Sequence, residues 1–402
     1  MREKDKMSHQ IGVVGAGIGG LAVAALLAER GHAVTLVERF AVPRPVGSGL
    51  VVQPVGLAVL EALGAGDAAR QLGAPLVQML GHAASGGAGS AVSGRRVVLD
   101  VRYRSGAPGL AMHRASLFDV LWQAARGRGV RVETGAAVTA VAGGWLRRDG
   151  AAAVGPFDLV VDASGAGSCL SPLVARPLAF GAVWASVPWP ADAALPDNQL
   201  TQRYFRASRM AGVMPIGRLP GQAQARAAVF WSLPVAGLDR WAGVDFAGWK
   251  AEVGQFWPEM VPFLAGLTRA GDMTPARYSH GSLAQVWRPG IAFIGDAAHR
   301  ASPQLGQGAN MALLDAMALR LALDAGLDGV LPRYAAMRRW HRGFYQRFSA
   351  LLTPMYQSHS HALPLLRDLI LAPLGRVPPM RRLLTALVSG DVLPPLAGQP
   401  WP

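Results

Sequence analysis

Three features of this chain predict an α/β fold. A buried-strand pattern, Ile11-Gly12-Val13-Val14, runs into Gly15-Ala16-Gly17-Ile18-Gly19-Gly20 and then a helical pattern at 21–30. An apolar run at 291–294 stops at Gly295-Asp296, before a glycine-rich turn and a second helical pattern at 311–323. Between them, 176–288 alternates short β-like runs with Pro and Gly turns. The expected architecture is a Rossmann-type nucleotide-binding domain with an inserted, mostly antiparallel β-sheet and C-terminal helices.

The first unit is a complete βαβ of about 30 residues, because 33–37 reads as a second strand ending at Glu38. Gly15 permits the tight turn, Gly17 lets the backbone approach a pyrophosphate, and Gly20 lets the helix pack on the strands. Glu38 can accept hydrogen bonds from ribose hydroxyls. Residues 41–58 hold Pro43, Pro45, Gly47, Gly49 and Pro54 and read as a structured loop, followed by a helix at 55–63. His113-Arg114-Ala115-Ser116 precedes a helical pattern at 117–125, with Ser116 as its expected N-cap. Strands are expected at 130–132, 137–141 and 157–163, the last ending in Ser164-Gly165-Ala166-Gly167-Ser168.

Seven tryptophans, from Trp184 to Trp287, fall in the inserted region, where a packed sheet core or an apolar pocket would use them. Beyond 330, Tyr334, Met337, His341, Phe344, Phe348 and Leu351 are spaced for one apolar helix face. Prolines from Pro354 to Pro379 then divide the chain into short helices. The division expected is 1–75, 113–175 and 289–330 for the nucleotide-binding domain. Residues 76–112 and 176–288 form the sheet domain, and 331–402 the helical end.

The 402 residues, 51% hydrophobic, suffice for a large core. Cys169 is the one cysteine, expected as a small buried residue, which excludes an internal disulfide and a cysteine-rich metal site. The net charge of +14 comes from scattered arginines, with lysine only at Lys4, Lys6 and Lys250. No basic run points to nucleic acid, while anionic ligands or an anionic membrane surface suit the charge. The Arg-bearing helix around 333–347 is the candidate for weak membrane-surface contact. The apolar stretch at 18–28 is too short to span a bilayer, so a soluble, cytoplasmic protein is expected.

At Gly295 a strand end leaves the Asp296 carboxylate beside a glycine-rich helix start, where backbone N–H groups favour negative charge. Three segments in order, Gly15–Gly20 with Glu38, 158–168, and Gly295 to Asn310, carry a resemblance. The chain resembles the FAD-dependent aromatic hydroxylases and related flavoprotein monooxygenases (group A), of the p-hydroxybenzoate and ubiquinone-biosynthesis hydroxylase types.

That resemblance implies FAD, with Gly15, Ala16, Gly17, Ile18, Gly19 and Gly20 at the pyrophosphate and Glu38 and Arg39 at the adenosine ribose. Arg114 would reach the FAD, and Asp296 would bind its ribityl or pyrophosphate side. Gly306, Gly308, Ala309 and Asn310 would bring backbone N–H groups to the flavin pyrimidine edge. Arg44 and the Gly47-Ser48-Gly49 loop match a segment near the flavin. The implied reaction uses NADH or NADPH and O2 to insert one oxygen atom into an aromatic or apolar small molecule, through a flavin C4a-hydroperoxide. The family usually has Asp-Gly where this chain has Ser164-Gly165, which puts the nicotinamide step in question. The rival readings are an FAD-dependent reductase of an unsaturated, isoprenoid-like substrate and a flavin halogenase, which the missing lysine between Lys6 and Lys250 disfavours. His82, His113, His280, Tyr103 and Tyr204 are the acid–base candidates, and no catalytic residue is assigned. The sequence leaves the oligomeric state open.

Overall fold

A computed structural model describes residues 8–42, 48–84 and 96–401. Strand Gln10–Val14 sits inside a six-stranded sheet. It pairs in parallel with Ala33–Glu38 on one side and Leu159–Asp162 on the other. Arg131–Thr134 extends the sheet beyond the first and Ile291–Phe293 beyond the second, both in parallel. Leu159–Asp162 and Ile291–Phe293 are buried throughout, as parallel strands covered on both faces must be. The register aligns Val14 with Val37 and Asp162, and Asp162 with Phe293. The turns after three of these strands therefore open on one edge of the sheet, where α/β sheets bind ligands.

Helix Ile18–Ala28 is buried almost all round because it is wedged between helices Arg114–Gly127 and Gly308–Asp324. The Arg114–Gly127 helix is capped by His113, whose Nδ1 accepts from the Ala115 N–H at 3.0 Å, and not by Ser116. The Ser116 hydroxyl instead donates to the Arg218 carbonyl, since the helix begins three residues earlier than the apolar pattern suggests.

The second large sheet has eight strands, and its pairs are antiparallel except that Gln199–Phe205 runs parallel to Gln78–Ala83. Strand alternation gives it two different faces. On one, Trp231, Trp241, Trp249 and Trp257 pack with Val183, Val229 and Phe263 against helix Phe246–Phe256, so these tryptophans are core. The other face turns Met79, Met214 and Ala228 towards Val51 and Ala111 of a small sheet made by Gly49–Val52, Ala74–Leu76 and Gly109–His113. Trp184 lies on this second face, its ring centroid 4.5 Å from that of Phe230, with its Nε1–H donating to the Tyr278 hydroxyl at 2.8 Å.

The C-terminal helix Val330–Tyr356 departs from the expected apolar stripe. Its buried side carries Tyr334, Arg338, His341, Arg342, Tyr345, Ser349 and Thr353, while Leu351 is 61% exposed. The helix packs on polar strand ends and turns, so its inner face is chosen for hydrogen bonding and not for hydrophobicity. Arg338 and Arg342 are thereby withdrawn from any membrane surface. Cys169 is exposed and not buried, because it lies in the turn crossing the edge of strand Val138–Ala142, its thiol reaching the Val138 and Thr139 carbonyls.

Candidate functional site

The turn at 15–20 is a cradle whose tightness excludes side chains. Gly15 has φ +98°, and a Cβ there would stand 2.7 Å from the Ser164 Cα. Its N–H donates to the Val37 carbonyl at 2.8 Å. A Cβ on Gly20 would fall 1.9 Å from the Gly15 carbonyl oxygen, so the helix seats directly on the turn. Gly17 differs: it is exposed, and a Cβ there would stand 4.0 Å from the Ala163 oxygen, an ordinary contact. This open side meets the N-terminus of an 11-residue helix with no acidic residue in its first turn. Exposed N–H groups and the helix dipole suit a pyrophosphate there. Ala16, Gly19 and Gly20 are buried and Ile18 half-buried, so the rest of the turn is packed against the protein.

The Glu38 carboxylate accepts from the Ala16 N–H at 2.7 Å and the Phe40 N–H at 3.0 Å. An ionised carboxylate has about four acceptor positions, which leaves capacity for ribose hydroxyls. Arg39 is exposed and stacks its guanidinium on Phe40, 4.7 Å from the ring centre. Arg44 and Gly47 lie outside the described residues.

Further along the same edge, Asp296 is the exposed residue in the otherwise buried stretch 291–299. Arg114 begins its helix close enough to feel it: burial lowers the guanidinium pKa, and the Asp296 carboxylate opposes that shift. Gly306 takes φ +61° and turns the chain into helix Gly308–Asp324, which has no acidic residue in its first turn. A Cβ on Gly308 would meet nothing within 4 Å, so that helix start is open. Ala309 is half-buried beside it. The Asn310 side chain acts elsewhere, accepting from the Gln53 N–H at 2.8 Å and donating to the Val51 carbonyl at 3.0 Å. It ties strand Gly49–Val52 to the helix start.

Gln53 was not legible as a site residue, yet it is the telling one. It is fully buried, and its Oε1 accepts from the Tyr103 hydroxyl at 2.6 Å. Its Nε2 has no partner among the described residues and stands 3.2 Å from where a Cβ on Gly306 would be. A buried donor without an acceptor is costly. Here it adjoins the open helix start, where the oxygen and nitrogen edge of a flavin would satisfy it. The open cradle at Gly17, the spare Glu38 acceptors and this donor all fit FAD.

A buried polar scaffold holds the edge in place. Asp315, fully buried, accepts from the Gly295 N–H at 3.0 Å, from His299 Nε2 at 2.6 Å and from Arg338 Nε at 2.7 Å. Burial pushes its carboxyl up, but the charges and hydrogen bonds of His299 and Arg338 outweigh that and hold it below the usual carboxylate range. Arg338 also donates to the Pro395 carbonyl, and the Tyr334 hydroxyl to that of Phe293. An i+4 acid inside an apolar helix (Met311 to Asp315) was the sequence signal for this network.

Ser164 sits where the resemblance expects an aspartate, but a carboxylate lies two residues upstream. Asp162 is fully buried and accepts from the hydroxyls of Ser164 at 2.5 Å and Ser168 at 2.6 Å. The turn is thus braced by a charge that the chain holds beneath it.

Among the acid–base candidates, Tyr103 adjoins Gln53, and His280 Nε2 accepts from the Ser302 N–H at 2.7 Å, next to Pro303. Burial and then the Arg176 charge lower the His280 pKa, so it stands neutral as that acceptor. His113 is a helix cap. Tyr204 donates to Gln202 Oε1 under the Arg367 guanidinium, and His82 is in register with Arg203 on the tryptophan-core side of the sheet. Among the described residues, no acidic, histidine or cysteine cluster could hold a metal ion, and no helix is long and apolar enough to cross a membrane.

Residues 8–144 and 251–338 match a family model described as FAD binding domain. The chain is 30% identical to 2-heptyl-3-hydroxy-4(1H)-quinolone synthase of Mycobacteroides abscessus, over 90% of this chain and 94% of that one. It is 30% identical to 3-amino-4-hydroxybenzoate 2-monooxygenase of Streptomyces cremeus, over 79% of each. A crystal structure of a Klebsiella pneumoniae HpxO variant complexed with FAD shares the fold, with a TM-score of 0.78, 20% identity, and coverage of 96% of this chain and 100% of that one.

Proposed function

Because the chain belongs to the FAD binding domain family and is an FAD-dependent monooxygenase, we propose that it oxygenates an aromatic or apolar small molecule, with NADH or NADPH as electron donor and O2 as co-substrate. Bound FAD supplies the redox and oxygen chemistry; the protein supplies position and environment. The Gly17 turn and Glu38 would hold the adenosine diphosphate end, and Asp296 and Arg114 the middle of the cofactor. The Gly308 helix start and Gln53 Nε2 would donate to the pyrimidine edge, where preorganised donors favour the negative charge of the reduced ring.

The observation that carries this reading is the unsatisfied Gln53 donor, set beside a helix start and near the apolar sheet face. That face brings Trp184, Phe230 and Tyr278 together. Flat aromatic side chains offer a ring substrate stacking surface and exclude water, which protects a reactive oxygenating species. The relatives named above, a quinolone synthase and a hydroxybenzoate monooxygenase, support an aromatic substrate.

The test is NAD(P)H-driven oxygen consumption by the FAD-loaded protein across a panel of aromatic acids, phenols and quinolones. Product masses are read under isotopically labelled O2. The expected result is substrate-stimulated NAD(P)H oxidation with one labelled oxygen in the product. Reduction of a substrate with no label incorporated would overturn the proposal.

A further inference from the structure

The C-terminal helices carry an apolar surface that the flavin site does not use. Leu365, Leu369, Ile370, Leu374, Val377 and Leu383 are between 45% and 58% exposed. They belong to helical segments at 362–374 and to helix Pro378–Ser389, with Val377 just before the latter. Both segments lie on the edge strand Arg96–Arg102 of the large sheet: Arg376 donates to the Val97 carbonyl, and the Thr385 hydroxyl to that of Arg102. Their inner sides supply Ala372, Leu384 and Val388 to the core on the flavin-facing side of the sheet. The two segments meet where a Cβ on Gly375 would touch the Leu384 side chain, so their outer sides form one surface.

Arginines stud this surface. Arg376, Arg381 and Arg382 are exposed, and none is in an ion pair among the described residues. The one acid between 360 and 389 is Asp368, held at 2.6 Å by the buried Arg367. An apolar surface rimmed by unneutralised arginines is the pattern of interfacial helices that lie on anionic lipid. A second copy of the chain fits it poorly, since a two-fold contact would bring like arginines together without carboxylates.

We propose that the outer face of 362–389 docks on an anionic lipid bilayer. The leucines enter the headgroup region and the arginines bind lipid phosphates and carboxylates. This places lipid contact on the last helices, not on the 333–347 segment. It stands apart from the identity of the substrate, because attachment is measured without turnover.

The FAD-loaded protein is sedimented with vesicles of phosphatidylcholine alone and of phosphatidylcholine with phosphatidylserine. Attachment is expected to the phosphatidylserine vesicles and to weaken with salt. Charge reversal in Arg381→Glu with Arg382→Glu should weaken it about tenfold or more. Leu369→Glu with Ile370→Glu should also release the protein, with flavin content and circular dichroism unchanged. Failure of the unmodified protein to sediment at low salt would overturn the proposal, as would attachment that survives the arginine reversal. Dissociation of a dimer by the leucine changes, with vesicle binding unaltered, would assign the surface to a second copy instead.

Discussion

Replacing Asp315 by alanine tests whether the buried scaffold governs the site. The change removes acceptors for Gly295, His299 and Arg338. It leaves the Arg338 guanidinium fully buried with no carboxylate opposite. Breaking one side of such a pair costs about 3–5 kcal/mol. An unfolding entropy of about 2.1 cal/mol/K per residue over 402 residues converts this to a fall in Tm of roughly 4–6 °C. Calorimetry of the apoprotein measures it, and flavin absorbance per chain reports the loosened Gly295–Asp296 turn. The pH dependence has a defined sign. The folded Asp315 pKa is depressed, so its stabilisation is present above the ordinary aspartate pKa of about 4 and is lost as pH falls below it. The gap between wild type and Asp315→Ala should therefore be constant near neutrality and close in acid. A Tm change of less than about 1 °C at neutral pH would refute the reasoning, since it would mean that Arg338 needs no counter-charge.

Three further outcomes are expected. Gly20→Ala places a methyl 1.9 Å from the Gly15 oxygen, so the helix must shift at a cost of about 1–3 kcal/mol; FAD retention should drop, and a fully yellow purified protein would contradict it. Asp296→Ala removes an exposed carboxylate, so the melting of apoprotein should be unchanged while FAD dissociates faster in fluorescence titrations. His341 is pushed down to about 3 by burial and the Arg338 charge, so its neutral form stabilises the fold above the ordinary histidine pKa of about 6.5, and that contribution is lost as pH falls towards 3. His341→Gln should flatten the acid limb of the Tm profile between pH about 6 and 4; an unchanged slope would show the ring titrating normally.

Much of this protein was readable from local pattern, for a physical reason. Gly15, Gly17, Gly20 and Glu38 form a contiguous turn and strand end, whose conformations glycine and a short loop dictate nearly alone. The Gly295–Asn310 stretch is similar, and it disclosed Asp296 and the open Gly308 start. The amphipathic reading of 334–351 found Tyr334 and His341 on the inner side but not Arg338, because periodicity marks a face without saying what it meets, and here Asp315 and the Pro395 and Gly390 carbonyls take Arg338 and His341. The Ser116 cap failed because His113 supplies an acceptor three residues earlier, a choice made by the strand that delivers it.

What the chain determined by itself is the set of local conformations: tight glycine turns, helix starts without acids, strands buried on both faces. Only the tertiary structure decided which distant groups share a cavity. Gln53 becomes meaningful because Asn310 ties it and the preceding strand to the Gly306 turn, leaving its Nε2 without an acceptor among the described residues. Trp184 separates from the other tryptophans because strand alternation sends it to the opposite face. Desolvation acts on groups assembled from remote parts of the chain, so no local pattern could announce it.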